Sequence, residues 1–495
     1  MTPFLACHRG GNRFSPFAIL SVLAIVFVFI AAPLRAQFVY VANSGSNNVS
    51  AYSIGAHGFL TPVPGSPFKA GIGGPVSVAV DPTSKFAYLV DDVSVLAYAI
   101  GTNGALTPIP GSPFAAGKGP NSVAVDPTGK FVYVANLFSR DISAYHIRAD
   151  GGLKPVTGSP FPTQHRVWAL AVDPTGKFVY TANFQHNDVS AYSIGADGAL
   201  NLVPGSPFAA GPDPKSIAVD PKGKFVYVGN FGDLNLNHSS VSGYSIGADG
   251  ALKPVLGSPF TAEINNPESV TVDPTGKFAY VGNLSFNSDI RAYRIGFITG
   301  ALTLASPLQF SQGFGPASMA VDPTGKFVCV ASQELNATLV FRIGNDGVLT
   351  AVTGSPFAAG KLPNSVAVSP LVPFASSSAE LEIHNDIVSL SESFTLGANS
   401  NGIDPVTEKV TLQIGTFSVT IPAGSFKLNP DQIYSFQGVI NGVSTQVRIS
   451  KSGERLFILD AVFTPLDLSG ITNPETVVLT FGIDSGSTAA TVIFD

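Results

Sequence analysis

The chain has 495 residues, 45% of them hydrophobic, so it can bury more than one core and is not a disordered protein. Only 12% are charged, against roughly 25% in ordinary soluble domains, while 51 glycines and 38 prolines favour many tight turns and an all-β fold. The formal net charge of -6 comes without a basic cluster, which excludes nucleic acid and anionic lipid as expected partners.

Residues 1–36 read as an export signal. Arg9 and Arg13 precede an uncharged, mostly apolar run from Phe17 to Ala32, and Leu34-Arg35-Ala36 places a small residue before Gln37. The alternative is a retained anchor, but the apolar run has 16 residues where a span needs about 20, and the first strand begins at Phe38 with no room for a linker. Cleavage before Gln37 removes three arginines and no acid, so the net charge falls from -6 to -9. Cys7 lies ahead of the apolar run and leaves with the signal; Cys329 is then alone, and no intrachain disulfide can form. The expected location is therefore the periplasm, the cell surface or the extracellular space, with no membrane span after cleavage.

From Gln37 onward a repeat dominates. The segment from Asn121 to Asn136, NSVAVDPTGKFVYVAN, recurs with its Asp at Asp81, Asp126, Asp173, Asp220, Asp273 and Asp322, and with Ser369 in the seventh place. The spacings are 45, 47, 47, 53, 49 and 47 residues, the length of one four-stranded propeller blade. Strand A is the Ser-Val-Ala-Val segment, ended by Asp-Pro-Thr-Gly, in which Asp accepts a backbone N–H, Pro presets φ and Gly takes a positive φ. Strand B is Phe-Val-Tyr-Val and strand C is Val-Ser-Ala-Tyr-Ser-Ile. Pairs such as Asn103-Gly104, Asp197-Gly198 and Asp249-Gly250 turn strand C into strand D, whose prolines suit an outer edge. Phe38 to Asn43 is a B strand with no A strand before it, and Asn364 to Val368 is an A strand with no B strand after it. Pairing the two closes a ring of seven blades and leaves no long sheet edge open.

Tyr40-Val-Ala-Asn43, Tyr133-Val-Ala-Asn136, Tyr227-Val-Gly-Asn230 and Tyr280-Val-Gly-Asn283 resemble the YVTN-type propeller repeat. The longer unit, with its Gly-Ser-Pro-Phe, is similar to the lactonase-type seven-bladed propellers that include bacterial 6-phosphogluconolactonase and muconate-cycloisomerase-like proteins. The resemblance covers about residues 37 to 370. It implies the fold and, as an expectation, hydrolysis of a sugar or other small lactone, but its matching residues are strand and turn positions and carry over no catalytic role.

Residues 371–377 read as a linker, after which the period is lost. Alternating stretches including Lys409 to Ile414, Phe417 to Ile421, Thr445 to Ile449 and Val477 to Phe481 predict a β-sandwich over 378–495. Its expected role is adhesion, packing or presentation, or simply stability.

Because repeated residues serve the fold, the non-repeating ones point to function. The start of A and the end of B share one face, and the position before the ring serine of strand A is Val76, Asn121, Trp168, Lys215, Glu268, Ala317 and Asn364 in turn. These seven should ring the channel mouth, with His186, Asp188, Gln333 and Glu334 on nearby B–C loops. The loop from Phe231 to Ser240 is the longest of its set and should overhang that face. Lactone opening needs a base to activate water and a donor or cation for the developing oxyanion. Glu268 is the first candidate base and His165 its rival; Arg166 and Lys215 would bind an acidic substrate, beside Trp168, Asn121, Asn364 and His186. The alternative is that all of these are solvated rim residues. No cofactor is expected: Glu268, Asn121 and Asn364 offer oxygen ligands to a divalent ion, but no spaced ligand motif supports one. The rival function is a noncatalytic, monomeric surface or periplasmic propeller that binds a protein or glycan. Mass spectrometry of the exported chain is expected to find Gln37 at the N-terminus; a chain still carrying residues 1–36 would contradict the export reading.

Overall fold

Six of the seven blades are organised by a buried aspartate that ends the A strand. In Asp126, Oδ1 accepts the N–H groups of Lys130 and Phe131 at 2.7 and 2.6 Å, and Oδ2 accepts the N–H and hydroxyl of Thr128. Asp81, Asp173, Asp273 and Asp322 repeat this set, and Asp220 keeps its three backbone bonds but, with Lys222 in the Thr position, not the hydroxyl. One carboxylate thus accepts three backbone N–H groups of the A–B turn, while the turn glycine's N–H goes to the aspartate's own carbonyl, as Gly129 does to Asp126 at 2.9 Å, which is why the carboxylate can be buried.

The computed structural model describes residues 37–495 apart from 56, 72, 102, 234–237, 262–263, 285–287, 306–312, 371–375, 385–386, 396–409, 415–416, 423, 430–432, 441–442, 452–455, 465–474, 482–483 and 495. The expected signal, most of the expected linker and the tip of the Phe231–Ser240 loop lie outside the described residues. No helix among the described residues is long and apolar enough to cross a membrane.

Seven antiparallel sheets, each in the order A-B-C-D, make up the repeat region. Blade I joins the two ends of the repeat: strand B, Phe38–Asn43, pairs with strand C, Asn48–Ile54, on one side and with strand A, Pro363–Val368, on the other. Ser369 occupies the aspartate position here. Its Oγ accepts the Phe38 N–H at 2.8 Å and its own N–H donates to the Phe38 carbonyl at 2.8 Å, so a junction of separate segments is closed like a turn. Blades II to VII follow with A strands Ser77–Val80, Pro120–Val125, Arg166–Val172, Pro214–Val219, Pro267–Val272 and Pro316–Val321.

The outer edge is more elaborate than the repeat suggests. Strand C is longer than strand D, and in five blades the residues after Gly-Ser-Pro, such as Phe161–Pro162, form a short strand on the uncovered end of strand C, while in a sixth Phe260 bridges Val241. Between these two short outer strands the Ser of Gly-Ser-Pro accepts the exposed strand C N–H, as Ser159 Oγ does from Ala144 at 2.9 Å. The edge is therefore capped by a side chain where no backbone partner reaches.

Neighbouring blades are stapled in the same way around the ring. The first Phe of each B strand lies under the glycine of the next blade's C–D turn: a Cβ on Gly104, at φ 82°, would fall 2.4 Å from the Phe38 ring. The arrangement recurs from Gly151 on Phe86 to Gly58 on Phe327, which crosses the closure. Two residues on, the buried Tyr reaches the same glycine's carbonyl, with Tyr40 donating to Gly104 at 3.0 Å, Tyr88 to Gly151 at 2.9 Å and Tyr133 to Gly198 at 3.1 Å. Cys329 takes this position in blade VII; it is fully buried, and burial pushes its thiol pKa up, so it is an inert core thiol.

The C-terminal strands form one further sheet of ten strands. Its first strand, Ser376–His384, pairs antiparallel with Ile387–Thr395 and parallel with Asp484–Phe494, which joins the two halves into a continuous path. Val410 and Leu412, Val447 and Ile449, and Leu459, Ala461 and Phe463 are buried at alternating positions. Phe417–Ile421 and Ile433–Ile440, far apart in the strand order, also meet, so the sheet rolls over its apolar face.

Two measurements test this account. Deleting Phe38–Asn43 should expose strand Pro363–Val368 as an open edge, and size-exclusion chromatography is expected to show aggregates in place of the compact species; a compact, cooperatively melting deletion variant would refute closure. The second concerns pH. Burial, followed by the charge of Asp91, pushes Tyr98 up to about 12, and burial does the same to Tyr244, against an ordinary value of about 10. The folded state then holds these phenolic protons more tightly than the unfolded chain, so their stabilisation is complete below about pH 10 and is lost as pH rises through about 12. Melting temperature should fall across that window, and less steeply in Tyr98→Phe.

Candidate functional site

The A strands stand closest to the propeller axis, and their first residues are set by a repeated irregularity. Each of blades III to VII has a register shift before the ring position, for example between Pro120 and Ser122, and blade I has one opposite Asn43. A β-bulge re-aims the extra residue. Here the extra residues are Asn121, Trp168, Lys215, Glu268, Ala317 and Asn364. Together with Val76 they line one cavity of about 260 Å³ at the channel mouth. The seven expected ring positions therefore do converge.

Within the ring the charged residues pair with each other. Lys215 Nζ lies 3.0 Å from Glu268 Oε2, with side chains only 14% and 17% exposed. The same ammonium sits 3.5 Å from the Phe231 ring centroid and 5.2 Å from that of Trp168. A cation held between aromatic faces and a carboxylate is well stabilised at a partly desolvated site. Trp168 is in turn buttressed by Phe184, with ring centroids 4.8 Å apart. Asn121 Nδ2 donates to the Trp168 carbonyl at 2.8 Å, and Gln333 Nε2 donates to Asn364 Oδ1. The oxygen donors considered for a divalent ion thus belong to residues with other partners, and among the described residues no group of three or more His, Cys, Asp or Glu is placed to hold a metal.

The remaining candidates stand apart. His165, Arg166 and His186 do not line the cavity. His165 Nδ1 lies 3.0 Å from Asp188, and its ring stacks on His186 at 4.0 Å and 12°. His186 Nδ1 faces the Phe184 carbonyl at 3.0 Å, and Arg166 donates to Gln185 at 3.2 Å. Lys215 and Arg166, expected to bind an acidic substrate together, are thus separated: one is inside the cavity and already paired, the other is on the rim.

Phe231, which covers Lys215, and Gln333, which orients Asn364, were visible in the sequence only as loop residues. Six ring serines also line the cavity: Ser77, Ser122, Ser216, Ser269, Ser318 and Ser365. The repeat marked them as structural, and the exception at Ala169 was the available signal.

A family model for seven-bladed β-propeller lactonases matches residues 65–166, 164–257 and 239–365. No match is found among curated proteins. Two solved structures, candidate 6-phosphogluconolactonases of Bacteroides uniformis and Bacteroides fragilis, are each similar at a TM-score of 0.57. They share 18% and 19% identity with this chain over 67% of its length, and 99% and 97% of their own. The periplasmic gluconolactonase of Pseudomonas aeruginosa is similar at a TM-score of 0.55, with 18% identity over 68% of this chain and 99% of its own. At these identities the structural likeness is one of fold, and it is the family model, spanning more than half of the sequence, that decides membership. The chain belongs to the lactonase family of seven-bladed β-propellers.

Proposed function

We propose that the protein is an exported hydrolase that opens a sugar or other small-molecule lactone at the channel mouth. The observation that carries this reading is the convergence of Glu268, Lys215 and Trp168 in one polar cavity at the propeller axis. Family membership supports the reaction class, and the sequence of residues 1–36 supports export to the periplasm, cell surface or exterior.

In this reading Glu268 takes a proton from a water molecule as the water oxygen attacks the lactone carbonyl. The ring C–O bond then breaks, and the proton passes to the leaving alkoxide, giving a hydroxy acid. Lys215 sits beside the carboxylate, where its ammonium opposes the negative charge that develops during attack. Trp168 offers an apolar face to the ring carbons, while Asn121 and Asn364 contribute amides at the wall. His165 is the weaker base candidate because it is engaged with Asp188 outside the cavity. Arg166 and His186 are assigned to the rim, where they would meet an acidic substrate on its way in. The reading needs no cofactor, and the protein acts as a monomer.

A second reading, a noncatalytic face that binds a protein or glycan, draws on apolar side chains in the loops of the mouth face: Val93 and Phe138 are 68% and 65% exposed. The C-terminal sheet would then assist presentation.

Hydrolysis of gluconolactone and 6-phosphogluconolactone by the mature chain, followed by pH-stat titration, separates the two. Glu268→Gln should lower turnover by roughly 100-fold or more, as expected for loss of a general base, while circular dichroism still shows the folded β-propeller. His165→Ala should change turnover by much less; the reverse order would transfer the base to His165. No turnover above background with either lactone would sink the hydrolase reading.

A further inference from the structure

A belt of hydrogen bonds runs around the channel just below the ring positions. In strand A the residue after the ring serine turns its N–H away from strand B, and the serine of the preceding blade accepts it. Ser77 accepts from Val123 at 3.2 Å, Ser122 from Leu170 at 3.2 Å, Ser216 from Val270 at 2.8 Å and Ser269 from Met319 at 3.0 Å. Ser318 accepts from Val366 at 3.3 Å, and Ser365 from Val78 at 3.2 Å, across the closure.

The belt is broken once among these seven described junctions. Blade IV has Ala169 in the serine position, so the N–H of Ile217 in blade V has no such acceptor. Ile217 lies opposite Val228 just as Val123 lies opposite Val134, so its N–H points the same way, towards position 169. Ala169 and Ser216, which bracket the gap, both line the cavity. The neighbouring ring positions are Trp168 and Lys215, with Glu268 in the next blade. Blade IV therefore breaks the serine belt directly beside its ring tryptophan, and both residues line the same wall. A backbone donor near the axis that has lost its protein acceptor is costly to leave unpaired unless something else takes the proton.

We propose that the Ile217 N–H is the oxyanion donor of this cavity, binding the carbonyl oxygen of a lactone and the carboxylate of the acid it opens to. This rests on the hydrolase reading given above and adds to Lys215 a second, directional donor. Lys215 shares its charge with Glu268, 3.0 Å away, whereas Ile217 offers a fixed dipole that needs no rearrangement as the carbonyl oxygen gains charge. Alanine at 169 lacks the hydroxyl that the other blades hold here, and an oxygen of the ligand would take the place of that Ser Oγ. Trp168 beside it forms the platform for the ring carbons.

Ala169→Ser tests the assignment, because the serine that six other blades carry would reclaim the N–H. Trp168 is the only tryptophan in the chain, so its fluorescence reports binding of gluconate independently of turnover. The variant should melt roughly 1–3 °C higher, as the belt closes. Its gluconolactone turnover should fall by roughly 100-fold, the usual effect of losing an oxyanion donor, and its gluconate affinity by roughly tenfold. A higher melting temperature with turnover and affinity unchanged overturns the proposal and leaves the hydrolase reading standing. A melting temperature below that of the parent overturns it as well, since Ile217 would then not face position 169. If the parent binds gluconate without opening any lactone, and the variant binds it more weakly, the oxygen-binding role stands and the hydrolase reading falls. Neither fluorescence response nor turnover in the parent overturns both.

Discussion

Pairing of Phe38–Asn43 with Pro363–Val368 joins segments from the two ends of the repeat, with Ser369 and Phe38 in contact across 331 residues of chain. Six blades are covalently continuous from strand A to strand D, and the seventh exists only because these segments meet. Without that contact two B-type and A-type edges would face water with unpaired backbone groups. The same contact fixes the distance between blades I and VII, and with it the diameter of the channel whose mouth forms the cavity. Loop closure on this scale is entropically costly, and the cost is offset by a complete strand ladder on both sides of Phe38–Asn43.

The remaining junctions repeat one design. Phe rings lie under turn glycines, Tyr hydroxyls reach the carbonyls of the same glycines, and ring serines accept the next blade's N–H. Each bond is modest, worth about 0.5–1.5 kcal/mol, but the pattern repeats at most blade interfaces. Such repetition makes departures easy to interpret. Cys329 in a Tyr position changes an interface far from the mouth in chemical character but leaves a buried apolar group. Trp168 and Ala169 alter the mouth itself, next to the Lys215–Glu268 pair.

That pair gives the cavity its character. A lone lysine at the mouth would make it a general anion trap, and a lone glutamate would repel acidic ligands. Held 3.0 Å apart between Trp168 and Phe231, the two present a neutral but strongly polarised wall inside a chain of net negative charge. Each member thus lowers the other's cost of being partly buried, and the cavity keeps two charged groups close to the axis.

The blade count, the closure and the seven ring positions were legible from the sequence, because a period near 47 residues maps equivalent positions onto equivalent places. The Asp-Pro-Thr-Gly turn was legible for a local reason: donors and acceptor lie within five residues. Whether Lys215 would meet Glu268, 53 residues away, or Arg166 was not legible, since it depends on bulges that re-aim side chains and on Phe231 arriving from a longer loop. His165 precedes Trp168 by three residues yet turns to Asp188 outside the cavity, as the bulge between Val167 and Ala169 separates them. The C-terminal region shows the same division: alternation predicted strands with one buried face, but their joining into one ten-stranded path required the parallel pairing of Ser376–His384 with Asp484–Phe494. Sequence by itself therefore determined what repeats, because repetition is a local, one-dimensional property. Tertiary structure decided which of the non-repeating side chains share a cavity, because side-chain direction and loop approach are set by contacts between blades that no spacing encodes.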